Sequence, residues 1–109
     1  MKGKHIESAT AVAGPPGVTR RTLAHNRDVM LCHFHMRPGA RIPPHNHTPS
    51  QIGFLVSGRV RFITGRHPEG FEVATGDSYL FDPGEQHQAE ALEESEFVEV
   101  FHPARPEYE

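Results

Sequence analysis

Two short clusters of histidine and amide side chains carry the chemistry legible in this chain. In the first, Gly39 is followed after five residues by His45-Asn46-His47, after three more by Gln51, and after six more by Gly58. His45 and His47 are two residues apart, so on one strand both imidazoles point to the same face. Gln51 lies at a further even offset of four and joins that face if the strand runs on. In the second cluster Gly76-Asp77 precedes Gly84-Glu85-Gln86-His87, which sets a single histidine just beyond a tight turn. A strand starting at His87 and laid antiparallel to the first brings a third imidazole to the pair. Three imidazole nitrogens and an amide oxygen would fill most of the shell of a divalent ion. The bland alternative for each histidine is a hydrogen-bonded place in the core, and the shared pattern favours ligation.

Strands must hold these groups, and the composition predicts them. Glycine and proline together make 20 of 109 residues, well above the roughly 12% of an average chain, which favours short strands joined by turns. Val29 to Met36 alternates, with Val29, Leu31, His33 and His35 on one face and Met30, Cys32, Phe34 and Met36 on the other. Further strands are predicted over 51–57, 59–64, 71–74, 79–81, 87–92 and 96–102, with a glycine or proline turn near most boundaries. No segment has a convincing helical period. The length argues for one domain spanning 1–109.

The same composition excludes other classes. Cys32 is the only cysteine, so no intramolecular disulfide and no cysteine-rich zinc module can form. No apolar run reaches the roughly 18 residues of a membrane span, and Met1 to Thr10 lacks the apolar core of a secretory signal. A cytoplasmic location, with no membrane partner, is the expectation. A net charge of −3 argues against a nucleic-acid partner. Basic residues crowd the first third of the chain while eight glutamates lie between 85 and 109, so the two ends are expected to lie together or to pair across subunits.

The two clusters resemble the two motifs of the cupin superfamily. The first matches G-x5-H-x-H-x3-E-x6-G at every spacing, with Gln51 at the glutamate position. In the second, Gly76, Gly84 and His87 are in register, while Asp82 and Ala91 stand where proline and asparagine are usual. The resemblance covers 39–58 and 76–91 and implies an all-β fold, a jelly-roll double-stranded β-helix barrel. It implies a divalent metal (Zn, Ni, Fe, Mn or Co) on His45, His47, Gln51 and His87. Glutamine in place of glutamate would leave the ion its full double charge, making it a stronger Lewis acid and a better anchor for an anionic oxygen.

The last strand adds an acid. Alternation sets Phe97, Glu99 and Phe101 on one face, and a glutamate between two phenylalanines is costly to bury unless it is paired or functional. Facing a cavity, Glu99 becomes a candidate acid/base with a pKa raised by burial. Otherwise it pairs with Arg59 or Arg61 on a solvated face. Arg105, held between Pro103 and Pro106, is placed to reach back over the mouth and fork a carboxylate. With the stretch HTPSQIGFLVSG, this ending is similar to the small cupins that linearise 4,5-unsaturated uronates, the KdgF type. That likeness implies Glu99 and Arg105 as catalytic residues, and Phe101 and Arg105 as substrate contacts. Glu99 replaces an aspartate of that group, and its extra methylene would displace the acid by about 1 Å.

The expected function is therefore that of a metal-dependent lyase or isomerase acting on a small, carboxylated, anionic substrate. The alternatives are an iron-dependent dioxygenase and a non-catalytic ligand-binding cupin. His33 and His35 are expected to line the barrel or an interface, whereas His5, His25 and His67 are expected to be solvated. Phe54, Leu55 and Val56, with Phe34 and Met36 nearby, exceed what one barrel face needs and predict a homodimer.

Overall fold

The protein is described by a computed structural model covering residues 1–46 and 48–109. Ten strands run through the described residues: β1 (Ala11–Ala13), β2 (Val18–His25), β3 (Met30–Met36), β4 (Arg41–His45), β5 (Ser50–Ser57), β6 (Arg59–Thr64), β7 (Phe71–Ala74), β8 (Ser78–Phe81), β9 (His87–Ala91) and β10 (Ser95–His102). Two single 3-10 turns, Ile6–Ser8 and Pro106–Tyr108, flank them. The strands pair antiparallel into a six-stranded sheet, β1-β2-β3-β10-β5-β8, and a four-stranded sheet, β4-β9-β6-β7. Each sheet turns one face inward, as the period of two dictates.

Met30, Cys32, Phe34 and Met36 of β3 point inward and are buried. From β10, Phe97 and Phe101 join them, and Phe34 stacks on Phe97 with ring centroids 5.1 Å apart. The four-stranded sheet closes the core with Val60, Phe62, Val73 and Ala89. Burying each such phenylalanine is worth about 2–3 kcal/mol, and this non-directional gain is what holds the two sheets face to face.

Several expectations change here. β2 has no sequence alternation, yet it forms because Val18 to Thr22 zips onto Met36 to Cys32 of β3. β4 stops at His45, so Gln51 is not on the same strand as His45 but is the second residue of β5 in the other sheet. The cause is Pro43-Pro44. Proline cannot donate to a ladder and belongs on an edge strand, and β4 is an edge whose register slips between Ile42 and His45.

His33 and His35 lie on the outer face of β3, opposite the buried Cys32 and Phe34, so they do not line the barrel. Phe34 and Met36 are core residues rather than surplus apolar surface. β3 does lie against the glutamate-rich end of the chain, with His33 Nε2 2.7 Å from Glu96 and His35 Nε2 3.1 Å from Glu94, while Arg41 lies 3.0 Å from Glu90. Of these only Arg41–Glu90 pairs two permanent charges, and near the surface it is worth under about 1 kcal/mol. No helix among the described residues is long and apolar enough to cross a membrane.

Candidate active site

Three of the four donors predicted from sequence, His45, Gln51 and His87, meet between the sheets. β4 and β9 pair antiparallel with His45 directly opposite His87, and their ring centroids are 4.2 Å apart in an edge-on arrangement. Each ring is oriented by its own backbone two residues earlier. His45 Nδ1 lies 3.0 Å from the Pro43 carbonyl, and His87 Nδ1 lies 2.9 Å from the Glu85 carbonyl. A carbonyl only accepts, so each Nδ1 carries a proton, and in the neutral ring that leaves the lone pair on Nε2. That is the tautomer a metal requires. Phe81 fixes the His87 plane by stacking on it, 4.1 Å between centroids and 4° between planes. Ligation by His47 falls outside the described residues.

From the facing sheet, β5 contributes Gln51, which is only 4% exposed and whose Oε1 is buried with no hydrogen-bond partner among the described residues. A buried, unsatisfied amide oxygen costs about 1–3 kcal/mol and calls for a ligand. His45, Gln51 and His87 line one cavity of about 50 Å³ with Glu99 and Arg105. Among the described residues no three His, Cys, Asp or Glu side chains cluster in a metal-binding group. The donor set here is instead two imidazoles and an amide oxygen. Neutral nitrogen and oxygen donors of this kind fit a divalent transition metal.

Glu99 is 4% exposed on the inner face of β10, with its pairing to Arg59 or Arg61 ruled out by position. Arg59 instead faces Glu93, and Arg61 donates to the Glu69 carbonyl. The Tyr79 hydroxyl donates to Glu99 Oε2 at 2.7 Å. Burial pushes the Glu99 carboxyl up to about 7, against the opposing pull of hydrogen bonds from Tyr79 and Gln51 and of the Arg105 charge. The Tyr79 phenol is itself raised well above its usual range, by burial first and by Glu99 second. A carboxyl near neutrality can hold or release a proton at working pH.

Arg105 sits just past β10 with its side chain 13% exposed. Its guanidinium lies 4.0 Å from the centre of the Tyr108 ring and 5.3 Å from that of Phe101. Glu107 holds Arg105 from the solvent side at 3.3 Å. Phe101, buried at the cavity wall, supports this arrangement from below. Tyr79 and Tyr108 are the site residues that sequence reasoning missed. Tyr108 is carried inward by the last 3-10 turn, where Thr22 donates to its carbonyl and Arg20 stacks 3.7 Å from its ring centre. The only sequence signal for Tyr79 is its inward parity with Phe81.

Two antiparallel sheets enclosing a cavity between them define a jelly-roll barrel. The chain belongs to the cupin family, whose domain matches residues 32–101. Among solved structures it is similar to KdgF from Halomonas sp., at 27% identity over 98% of this chain and 97% of that one, with a TM-score of 0.88. It also resembles an RmlC-like cupin from Shewanella frigidimarina (22% identity, 100% and 96% covered, TM-score 0.90). A third is the polyketide cyclase RemF from Streptomyces resistomycificus (23%, 97% and 82%, 0.83). The last two likenesses carry the fold alone. No curated protein matches the chain.

Proposed function

We propose that this chain, one cupin domain over residues 1–109, is a metal-dependent enzyme. It opens the ring of a small unsaturated uronate or a closely related carboxylated enol ether. The observation that carries the reading is the buried Glu99 sharing one cavity with His45, Gln51, His87 and Arg105. His45, Gln51 and His87, with His47, are the residues that would hold the metal. When bound, a divalent ion supplies Lewis acidity and an anchor for a substrate oxygen.

The net reaction is an isomerisation. The anomeric hydroxyl loses its proton as its carbon becomes a carbonyl, the ring C–O bond breaks, and the enol carbon gains a proton as the ring oxygen becomes a ketone. Glu99 is the group that delivers and recovers that proton, and a carboxyl raised towards neutrality is suited to doing both. Arg105 forks the substrate carboxylate, and Phe101 packs under the ring. The sequence likeness to uronate-linearising cupins in Gln51, Glu99, Phe101 and Arg105 supports the substrate class.

The test is turnover of a 4,5-unsaturated uronate followed by loss of its enol-ether absorbance. Chelator treatment is expected to abolish turnover, and returning Zn²⁺, Ni²⁺, Fe²⁺, Mn²⁺ or Co²⁺ one at a time identifies the metal. Loss of absorbance that survives chelation would sink the metal role. Oxygen uptake during turnover would replace this reading with dioxygenase chemistry.

The outer face of the six-stranded sheet supports a homodimer. Ile52 lies between Val100 of β10 and Leu80 of β8, and Phe54 lies beside Val98. Ile52, Phe54, Val56 and Leu80 are each about half exposed. A contiguous apolar patch of this kind marks an interaction surface, and a two-fold partner presents the same patch to it. Light scattering is expected to give the mass of two chains for the unmutated protein and of one for Phe54→Glu/Leu80→Glu. A monomeric unmutated protein would remove the proposal.

A further inference from the structure

We infer that Tyr79 and Gly53 are positioning residues that set which atom of the Gln51 amide faces the metal cavity, acting through Glu99. This rests on the metal-binding reading of Gln51. Glu99, Gly53 and Tyr79 form one row across three strands, Glu99 opposite Gly53 in the β10–β5 pair and Gly53 opposite Tyr79 in the β5–β8 pair. Any side chain at the central position would block the row. A Cβ at Gly53 would overlap the Tyr79 ring and hydroxyl. With only hydrogen there, the phenol lies across β5 and reaches Glu99 Oε2 at 2.7 Å.

Gln51 is the next inward residue of β5 and a diagonal neighbour of Glu99. The two side chains line one cavity, and Gln51 pulls the Glu99 pKa down as a hydrogen-bond donor to its carboxylate does. The ionised Glu99 carboxylate accepts and does not donate, so in that state only the Gln51 NH₂ can serve it. The amide is thereby turned so that Oε1 is left over, and Oε1 is the buried Gln51 atom that lacks a hydrogen-bond partner among the described residues. The chain Tyr79 to Glu99 to Gln51 thus sorts donor from acceptor at a metal ligand. It also accounts for glutamine in place of glutamate at position 51. Two carboxylates in direct contact in a buried site repel, whereas an amide and a carboxylate complement each other.

The test is a double-mutant cycle read as Zn²⁺ affinity by calorimetry on metal-free protein. In Glu99→Gln, the Tyr79 hydroxyl still claims the side-chain oxygen at position 99, so the new NH₂ faces Gln51. Gln51 must then turn its oxygen away from the cavity. Zn²⁺ affinity is expected to fall ~10-fold or more, as for other groups that orient metal ligands. In the native background, Tyr79→Phe loosens Glu99 and weakens Zn²⁺ binding. In the Glu99→Gln background the same change frees the new amide to present its oxygen to Gln51, and affinity should recover by ~threefold or more.

This reversal of sign separates positioning from a structural or purely electrostatic role, neither of which predicts it. If Tyr79→Phe weakens binding in both backgrounds, the inference is overturned while metal binding stands. If the unmutated protein binds no Zn²⁺, the metal reading falls and the inference with it. Should Tyr79→Phe fail to fold, NMR of the unmutated protein decides. The Gln51 NH₂ protons should exchange slowly with and without Zn²⁺, and the side-chain carbonyl carbon should shift when Zn²⁺ binds. Fast exchange or an unmoved carbonyl would overturn the inference.

Discussion

Glu99→Gln is expected to lower turnover by about 10²–10⁴-fold at saturating metal and substrate, the range for losing a positioned acid/base group. The same substitution should make the metal-free protein more stable above neutral pH. Glu99 is 4% exposed, and its carboxyl is raised from 4.5 to about 7, chiefly by burial. A group raised in the folded state contributes stability that is full below its unfolded pKa. That contribution is lost as pH climbs through the folded value. The window is therefore pH 4.5 to about 7, and at about 1.4 kcal/mol per pH unit the change across it is about 3 kcal/mol. Glutamine does not titrate, so the stability difference between the two proteins should swing by that amount between pH 4.5 and 8. Urea unfolding of both at several pH values measures it. A difference that stays constant would show that Glu99 is solvated as a carboxylate throughout, and the proton-transfer role would lose its basis.

The limits of sequence reading fall along the same physical lines. The alternation of Met30 to Met36 and of Phe97 to Phe101 was legible because each strand buries one face and local parity alone sets it. The facing of His45 and His87 followed from two motifs, since one antiparallel pairing suffices to oppose them. Parity puts Gln51 on the face of His45 only if one strand runs through both, a route that Pro43-Pro44 closes, and it reaches the cavity from the opposite sheet.

Tyr79 was out of reach for a different reason. Its importance depends on the pairing of β8 with β5 and on the space above Gly53, and an absent side chain leaves no pattern. β2 was missed because its inner side is shared among Val18, the stem of Arg20 and the Tyr108 turn, so hydrophobic period does not mark it. Contacts between residues distant in sequence thus account for most of what was missed.

The two glycines that bound the first motif separate conformation from space, and the larger stability effect follows from the difference. Gly39 and Gly58 both adopt positive φ, +80° and +99°. Around Gly39 a Cβ meets nothing within 4 Å, whereas at Gly58 it would overlap Ser95 Oγ and the Glu94 carbonyl oxygen. Gly39→Ala therefore costs only the strain of a left-handed residue, about 1 kcal/mol. Gly58→Ala adds overpacking against backbone, for a total of about 4 kcal/mol, a large part of the 5–15 kcal/mol typical of a domain.

The corner at Gly58 also sets the register of the site. Its NH donates to Thr75 Oγ1 at 3.0 Å, and the neighbouring Arg59 NH donates to Ser95 Oγ at 3.1 Å, which ties the β5–β6 turn to the start of β10. Pushing Ser95 away loosens the β10–β5 pairing that places Glu99 opposite Gly53 and beside Gln51. Gly58→Ala is thus expected to lower the unfolding midpoint and to weaken Zn²⁺ binding together, while Gly39→Ala moves the first slightly and the second not at all. Urea titrations of the two variants, followed by calorimetry on whichever folds, compare them directly. Equal losses of stability would show that conformation alone, and not the close approach of β10, requires glycine at position 58.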